Sequence, residues 1–323
     1  MRIATFNLES LDAPVAPRAR LLRPALERLE ADILCLQEVN GQKVGGRRSL
    51  AALDELIAGT PYAGFHRAVT HAASGAPADR HNLVTLSRWP IAASRQVRHD
   101  LLAPPSMAHA TAEPPDPTPA EIRFERPLLV TEIAPGARAE RLTVVNVHLR
   151  APLASTIPGG KLAPFAWRSV AAWAEGFFHS GVKRTGQALE LRLLVDALFD
   201  AAPDPLVLVA GDFNAEDHET PVRLVAGAPE DTGNPELAAR ALVVLDRAIE
   251  RSRRYSVLHH GRPQMLDHML ASHRLLGRFR GIEVQNEALG DEAVAWGKGV
   301  GAAGSYHAAL VASFADHGAV AGD

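Results

Sequence analysis

The sequence predicts a mixed α/β or α+β fold in which helices cover layered β-sheets. Strand-like apolar runs recur along the whole chain, and helical patterns separate several of them. Several runs, such as Leu206 to Ala210, are apolar at consecutive positions, so both faces of these strands should be covered. At 323 residues and 47% hydrophobic composition, the chain can bury a large core.

The predicted strands are short runs rich in aliphatic and β-branched residues. They are Arg2 to Phe6, Asp32 to Gln37, Leu83 to Ser87, Leu128 to Ile133, Leu142 to Val147, Leu206 to Ala210, Met265 to Ala271 and Ala308 to Phe314. The predicted helices, in which apolar residues recur at helical spacing, are Ala16 to Glu30, Leu50 to Ala58 and Thr185 to Phe199. Residues 103–122, which are rich in Pro, and residues 150–181, which contain a Pro- and Gly-rich stretch, predict loop insertions. Because strands resume after each, we expect a single domain over residues 1–323.

Charge and cysteine content narrow the class of protein. The 34 Lys and Arg residues nearly balance the 37 Asp and Glu residues, and the net charge of -3 excludes a general attraction to polyanions. Cys35, the only cysteine, lies in the apolar run "DILCLQ", which favours a buried packing role over a nucleophile. The N-terminus lacks a signal-peptide pattern, and no segment has the length of a membrane span, so we expect a cytoplasmic protein.

Polar side chains follow the ends of five predicted strands. They are Asn7, Glu38, His148, the pair Asp212 and Asn214, and the pair Asp267 and His268. Because neighbouring strand ends meet along one edge of a sheet, we expect these groups to line one pocket. His268 points away from Asp267 in a regular strand and is predicted to be structural.

The residue types in this set indicate a hard cation. Asp212 and Asn214 are two positions apart, which in extended backbone places both side chains on the same face. Carboxylate and amide oxygens without cysteine are the ligands of Mg²⁺ or Mn²⁺. Such a cation can hold a phosphate oxygen and stabilise a departing alkoxide.

The segments around these residues resemble a known family. In chain order they are "FNLES" around Asn7, "LQEVN" around Glu38, "NVHL" around His148, "GDFNAED" from Gly211, "MLDHMLAS" around Asp267 and "GSYHAALVASF" around His307. They fall in the order found in the endonuclease/exonuclease/phosphatase superfamily, which has the DNase-I-like fold. The resemblance covers nearly the whole chain, and "GDFN" after an apolar strand is its most specific part.

The resemblance implies a four-layer αββα sandwich, with two mixed β-sheets packed face to face and helices outside. It also implies a metal-dependent phosphoesterase centre at one edge. The residues carried over by position are Asn7 and Glu38 at the metal, His148, Asp212, Asn214, Asp267 and His307 in catalysis, and Asn82 and Arg126 at the substrate.

The roles implied by the resemblance divide the chemistry among these residues. Glu38 is the main metal ligand, and Asn7 helps to place the metal or a phosphate oxygen. Asp212 orients or deprotonates the attacking water. Asp267 holds His307 by a hydrogen bond, so that the imidazole stabilises the charged phosphorane. His148 lies against the phosphate, and Asn214 stands beside Asp212.

The sequence departs from the family at one position. The usual Ser-Asp-His motif reads Ser305, Tyr306, His307 here, and the missing aspartate commonly supports the metal or its waters. Asp291 or Glu292 in the preceding loop are candidates to replace it. A rival alignment through Asp316 and His317 is disfavoured, because the apolar strand expected after the histidine follows His307 and not His317.

The predicted activity is hydrolysis of a phosphodiester, as in a nuclease, by in-line attack of an activated water with Mg²⁺ or Mn²⁺. The alternatives are a phosphomonoesterase acting on a nucleotide, inositol phosphate or phospholipid, and a non-catalytic binding module prompted by Tyr306. The expected partner is therefore a phosphoester, with nucleic acid as one candidate. Residues 41–48 and Arg150, Lys183 and Arg184 are candidates to contact phosphate, whereas Arg251, Arg253 and Arg254 are predicted to be a solvated face.

Overall fold

The structure is a computed structural model that describes residues 1–135, 140–297 and 304–315. The rival pair Asp316 and His317 lies outside these residues. The strands are β1 (Arg2–Leu11), β2 (Ile33–Val39), β3 (Gln42–Val44), β4 (Arg47–Ser49), β5 (His66–Val69), β6 (Asn82–Ser87), β7 (Ile91–Val97), β8 (Ser106–Met107), β9 (Ala120–Glu121), β10 (Leu128–Ile133), β11 (Leu142–His148), β12 (Lys161–Ala163), β13 (Ala166–Trp167), β14 (Leu206–Asp212), β15 (Val243–Val244), β16 (Val257–His259), β17 (Arg262–Gln264), β18 (Asp267–Ala271), β19 (Phe279–Val284) and β20 (Leu310–Phe314).

The described part of the chain has more helices than the three predicted, and the third predicted helix is longer than expected. They are α1 (Ala16–Leu29), α2 (Ala51–Ile57), α3 (Val170–Ala201), α4 (Thr220–Ala226), α5 (Pro229–Thr232), α6 (His273–Leu276) and α7 (Glu292–Gly297), with 3-10 turns at Pro61–Gly64, Pro235–Arg240 and Leu245–Ala248. None of those in the described part of the chain is long and apolar enough to cross a bilayer. The predicted start of α3 at Thr185 was wrong, because the helix begins at Val170 after an N-cap at Ser169, whose hydroxyl accepts from the Ala172 N–H.

Two six-stranded mixed sheets form the centre of the protein. The first sheet has the order β19-β20-β1-β2-β6-β5, and the second has the order β15-β18-β14-β11-β10-β7. β1 and β2 are parallel in the first sheet, as are β11 and β14 in the second, and the other pairs in both sheets are antiparallel. All eight predicted strands are present. The edge strands β5, β7, β15 and β19 were not predicted; β7, for example, exposes most of its side chains.

The sheets pack face to face, and the helices cover their outer faces. Along β2, Ile33 and Cys35 pack between the sheets, while Leu34 and Leu36 pack against α1 and α2. Residues such as Val145 on β11 pack outward against α3 in the same way. Burial of each such aliphatic side chain contributes about 1.5–3 kcal/mol to stability. The predicted four-layer sandwich and the buried packing role of Cys35 are confirmed.

The two expected insertions lie over α3 and contain short hairpins. Residues 103–122 contain the hairpin β8–β9, and residues 150–169 contain the hairpin β12–β13. Residues 170–181, which were expected to continue the second insertion, are the first turns of α3. The two insertions are joined by a hydrogen bond from the Glu113 N–H to the Pro158 carbonyl.

Candidate active site

The polar strand ends meet at one edge of the sandwich. His148, Asp212 and Asp267 end or begin three adjacent strands of the second sheet and are direct register partners, His148 with Asp212 and Asp212 with Asp267. Asn7 on the first sheet donates from Nδ2 to Asp212 Oδ2 at 3.0 Å. This bond brings the edges of the two sheets to a single point, as the strand-end pattern predicts.

The Gly-Asp-Phe-Asn segment is shaped by close backbone packing. Gly211 has φ +148°, and a Cβ atom at this position would lie 2.0 Å from the Val147 carbonyl oxygen, so only glycine fits. Asp212 Oδ1 accepts from the Asn214 N–H at 2.8 Å, which closes a tight turn, while Phe213 is fully buried. Asn214 donates from Nδ2 to the Leu149 carbonyl at 3.0 Å and is therefore held beside Asp212.

Backbone irregularities direct Asn7 and Glu38 toward the same point. The β1–β2 register shifts between Asn7 and Leu11, and the β2–β6 register shifts between Leu36 and Val39. Glu38 lies in this bulge with φ +59°. Its Oε2 accepts from the Ser10 N–H at 2.8 Å, which leaves Oε1 turned toward His148 Nε2 at 3.5 Å.

Asp267 and His307 form a hydrogen-bonded pair. Asp267 Oδ2 lies 2.8 Å from His307 Nδ1, and His307 Nε2 lies 4.0 Å from Asp212 Oδ2. Burial lowers the pKa of His307, but the carboxylates of Asp267 and Asp212 outweigh this and raise it to about 10. The imidazole is therefore positively charged at neutral pH. Ser305 fixes the approach of this segment by donating to the Asn7 carbonyl at 2.7 Å.

Two further imidazoles, those of His148 and His81, lie beside the carboxylates of Asp212 and Glu38. His148 is 1% exposed and lies 3.4 Å from Asp212 Oδ2, and burial lowers its pKa well below the usual range, so the ring is neutral. His81 was not among the predicted site residues, yet its Nδ1 lies 3.6 Å from Glu38 Oε2. The signal for His81 was its place before β6, because the start of a strand antiparallel to β2 lies at the same edge as the end of β2.

The electrostatics of the centre fit a divalent cation. Burial and the adjacent Asp267 carboxylate raise the pKa of Asp212 to about 7. Asp267 Oδ1 is buried without a hydrogen-bond partner, which costs free energy unless a cation or a donor is nearby. Burial opposes ionisation of Glu38, but neighbouring His81 and Arg126 lower its pKa overall, so this carboxylate is charged. Oxygen donors from Glu38, Asn7 and Asp212 form the donor set that a hard cation prefers.

The two predicted substrate-contacting residues lie in different environments. Arg126 is half-buried, donates to the Leu149 carbonyl at 2.9 Å, and acts electrostatically on Glu38 and Asp212. Asn82 is buried, and its amide donates to the Val39 carbonyl at 2.8 Å and accepts from the Ala78 N–H at 2.7 Å. Its side chain therefore holds the segment that carries His81.

A basic cleft opens beside His81. It has a volume of about 580 Å³, and its lining includes four arginines, Arg80, Arg98, Arg126 and Arg150, together with Glu125 and His81. This local positive charge contrasts with the net charge of -3 for the whole chain. A phosphate chain can therefore be attracted to this cleft even though the protein as a whole is weakly acidic.

Lys183 and Arg184 engage protein groups. Lys183 Nζ lies 2.6 Å from Glu125 Oε1, and Arg184 donates to the Asn214 carbonyl at 3.0 Å. Residues 41–48 form most of the hairpin β3–β4. His268 is fully buried with Nδ1 3.0 Å from Asp246 Oδ2, which confirms its structural role. Arg251, Arg253 and Arg254 lie in a surface turn that includes an ion pair from Arg253 to Glu287.

The carboxylate next to Tyr306 is Glu9, a residue not among the predicted site residues. Glu9 has φ +48°, and its Oε2 accepts from the Tyr306 N–H at 2.8 Å. Burial raises its pKa, and the carboxylates of Glu292 and Glu38 lie close enough to raise it further. Asp291 instead accepts from backbone N–H groups of the β16–β17 turn and α7, and Glu292 Oε2 lies 3.4 Å from His259. The bulge after Asn7 brings Glu9 to the centre, which its position in the sequence does not indicate.

A sequence model described as the Endonuclease/Exonuclease/phosphatase family matches residues 4–307. The chain belongs to this family. Its members are divalent-metal-dependent phosphoester hydrolases, and the chain is a hydrolase of this type. The family resemblance read from the motifs is confirmed. No match was found among curated protein sequences.

Several solved structures have the same fold. A 3'-5' exonuclease from Neisseria meningitidis is 16% identical, with a TM-score of 0.55 over 98% of this chain and 100% of the exonuclease. An AP endonuclease from Archaeoglobus fulgidus is 17% identical, with a TM-score of 0.51 over 97% of this chain and 99% of the other. Truncated TDP2 from Caenorhabditis elegans is 14% identical, with a TM-score of 0.57 over 98% of this chain and 97% of the other.

Proposed function

We propose that the protein is a phosphodiesterase of the nuclease type that uses Mg²⁺ or Mn²⁺. The observation that carries this proposal is the convergence of Glu38 and Asp212, which both lie within 3.5 Å of His148 Nε2, with the Asp267–His307 pair, beside a cleft with several arginines. Glu38 and Asn7 would hold the cation, and Glu9 is the nearby carboxylate that would take the place of the aspartate replaced by Tyr306. When bound, the cation supplies positive charge to a non-bridging phosphate oxygen.

Asp212 is the residue that we assign to the attacking water. Its Oδ2 accepts from Asn7 and Asn214, and its Oδ1 accepts from the Asn214 backbone, so the carboxylate has a fixed direction. A fixed carboxylate orients water for in-line attack and accepts its proton. The proximity of Asp267, which opposes ionisation of Asp212, also makes Asp212 a stronger proton acceptor.

His307 and His148 have different roles because their charges differ. The protonated His307 ring is held by Asp267 and directs Nε2 toward the centre, where it would donate to the phosphorane oxygens. The neutral His148 ring would contact a phosphate oxygen through Nε2, the atom that faces Glu38 and Asp212. Both rings face Asp212 Oδ2, His148 at 3.4 Å and His307 at 4.0 Å, so both would act on a phosphoryl group bound there.

The cleft supports a polyanionic substrate such as nucleic acid. Its arginines extend from Arg126 beside Glu38 to Arg80 and Arg98, so the cleft has room for more than one phosphate. A second candidate is a phosphomonoesterase, because Arg126 is half-buried near the centre and is suited to the extra charge of a monoester. A structural relative from Neisseria is described as a 3' phosphatase bound to a product DNA hairpin. The non-catalytic alternative is not proposed, because the predicted metal and catalytic residues all remain.

The test is a panel of single- and double-stranded oligonucleotides, a 3'-phosphorylated oligonucleotide and small diesters, assayed with Mg²⁺, Mn²⁺ or chelator. We expect metal-dependent cleavage that falls at least about 100-fold in Asp212→Asn and in His307→Ala. Glu55→Gln, an exposed change on α2, is the matched control. Turnover that persists in chelator, or that is equal in both variants and the wild type, would refute the proposal. Release of phosphate without chain cleavage would select the monoesterase.

The organisation and location of the chain stay predictions. We propose that residues 1–323 form a single catalytic domain, since strands from both halves of the sequence share each sheet. The predicted location in the cytoplasm is tested by fractionation of the native host.

A further inference from the structure

A cluster of two histidines and a glutamate lies on α3, away from the strand-end centre. Glu175 and His179 are four residues apart on the same face of α3, and His109 in the 103–122 insertion lies above them. One ligand atom from each of the three residues lies within 4.8 Å of the other two. Arg150, which follows β11, donates from Nε to the Ser180 hydroxyl at 3.3 Å and from its backbone N–H to Gln187 Oε1 at 2.8 Å. The cluster is therefore one residue along α3 from a contact with the strand-end loops.

The carboxylate of Glu175 is already oriented for a ligand. Its Oε1 accepts from the Ala110 N–H at 2.6 Å, and its Oε2 accepts from the N–H and hydroxyl of Thr111. Each oxygen of a carboxylate has two acceptor sites, so Oε1 keeps one free. Oε1 lies 3.9 Å from both His109 Nδ1 and His179 Nε2. Hydrogen bonds that hold a ligating carboxylate in this way are typical of metal sites.

The two imidazole rings are neighbours, but His109 Nδ1 makes no hydrogen bond to His179. Their rings lie 5.0 Å apart at 38°, and His109 Nδ1 is buried without a hydrogen-bond partner. His179 is 3% exposed. A buried ring nitrogen that lacks a partner costs free energy, and a cation between the two rings and Oε1 removes that cost. Two ligands at about 2.0–2.2 Å from a tetrahedral ion lie about 3.4 Å from each other. The two separations from Glu175 Oε1 to the imidazole nitrogens, each 3.9 Å, therefore need to shorten by about half an ångström, and the two nitrogens lie within 4.8 Å of each other.

We propose that His109, Glu175 and His179 form a second metal site, which takes Zn²⁺ or a similar transition-metal dication. Two imidazole nitrogens and one carboxylate oxygen suit zinc, whereas the oxygen-rich set around Glu38 suits Mg²⁺. The three protein ligands leave a fourth position for water.

The site fastens the 103–122 insertion to α3. Hydrogen bonds from Ala110 and Thr111 to Glu175 already join the insertion to α3, and the bond from the Glu113 N–H to the Pro158 carbonyl joins it to the second insertion. Both insertions border α3, and α3 also contacts the strand-end loops. A bound ion would therefore fix the position of the 103–122 insertion relative to the face that binds substrate.

The experiment uses the full-length protein stripped with chelator and titrated with Co²⁺, a spectroscopic substitute for zinc. We expect about one Co²⁺ per chain with the intense visible absorption of a four-coordinate ion, displaced by Zn²⁺. His109→Ala should weaken binding at this site by at least about 100-fold, and His179→Ala should do the same. His109 lies in a half-exposed loop, so its variant keeps the packing of α3 even where His179→Ala impairs folding.

Two further variants separate this site from the phosphoesterase centre. Glu38→Gln should leave the Co²⁺ absorption unchanged, and the exposed His66→Ala should also leave it unchanged. An equal number of Co²⁺ ions and the same spectrum in wild type and His109→Ala would overturn the proposal, as would loss of the absorption in Glu38→Gln.

Amide hydrogen exchange provides a readout of the fastening itself. Zn²⁺ should slow exchange at Ala110 and Thr111 at least about 10-fold in the wild type, since both amides are bonded to the ligating carboxylate. The protection should be lost in His109→Ala. Identical exchange with and without Zn²⁺ in the wild type would also overturn the proposal.

Discussion

Gln37 and Asn146 join the two sheets through a buried hydrogen bond of 2.7 Å from Gln37 Nε2 to Asn146 Oδ1. Asn146 also donates to the carbonyls of Leu36 and Val84, which flank the start of the β2 bulge. Gln37 precedes Glu38 in β2, and Asn146 lies two residues before His148 in β11. The pair therefore fixes the position of Glu38 in the first sheet relative to His148 in the second.

The first prediction concerns this pair. Asn146→Leu should lower the free energy of unfolding by about 1–3 kcal/mol, because it removes the buried hydrogen bond from Gln37 and the two bonds to the Leu36 and Val84 carbonyls. Urea unfolding followed by circular dichroism measures the change. The double variant Gln37→Leu/Asn146→Leu should cost less than the sum of the two single variants, since both single variants remove the same Gln37–Asn146 hydrogen bond. Additive losses would show that the pair is energetically independent.

The strands were predictable because burial on both faces requires consecutive apolar residues. Runs such as Leu206 to Ala210 show this pattern directly, and their ends then place Asn7, Glu38 and Asp212 at one edge. The early turns of α3 were not predictable in this way, because Trp173, Phe177 and Phe178 are exposed and do not follow a single helical stripe.

Glu9 and His81 show a second limit of prediction from sequence. Each reaches the site through a residue with positive φ, Glu9 at +48° and His81 at +58°. A side chain in a regular strand has a predictable face, but a left-handed residue in an irregular segment redirects it. Glu175 and His179 lie in the part of α3 that was not predicted to be helical. Their four-residue spacing was therefore not recognised as placing both side chains on one helix face.

The second prediction tests the close packing at Gly211. Gly211→Ala should lower the free energy of unfolding by about 3 kcal/mol or more, because the new Cβ would overlap the Val147 carbonyl. It should also lower activity, since any relief of the overlap displaces Asp212. Thermal unfolding and turnover are the measurements. Gly281→Ala on the edge strand β19, where a Cβ has open space, is the control and should change stability by less than about 0.5 kcal/mol.

The third prediction concerns the pH dependence of kcat/KM. In the proposed mechanism Asp212 accepts a proton from water, and burial with the nearby Asp267 raises its pKa to about 7, so activity should rise as pH increases toward this value. A bound cation favours the charged carboxylate and moves this rise to lower pH. Burial lowers the pKa of His307, but Asp267 and Asp212 raise it to about 10, so activity should fall only as the imidazolium is lost near that pH.

Asp267→Asn separates these two limbs. Removal of the Asp267 charge should lower the pKa of His307, so the fall in activity moves to lower pH and activity at neutral pH drops by at least about 100-fold. The rise assigned to Asp212 should also move to lower pH, because Asp267 no longer repels it. Asp231→Asn at an exposed position is the control. A falling limb that stays in place in Asp267→Asn would exclude His307 as its source.

The last prediction concerns the arginines at the outer end of the cleft. Arg98 and Arg80 are exposed there, and Arg98 is held by a 2.8 Å bond to the Glu125 carbonyl. For a single-stranded oligonucleotide, Arg98→Ala should raise KM several-fold with kcat kept, because the side chain binds substrate away from the reacting phosphate. Each phosphate contact that is lost should reduce the slope of log(kcat/KM) against log salt concentration by about 1. Arg251→Ala, in the predicted solvated face, should leave KM and this slope unchanged. Equal slopes for Arg98→Ala, Arg80→Ala and the wild type would mean that the nucleic-acid backbone does not follow this cleft, since counterion release depends only on the phosphates that the protein neutralises.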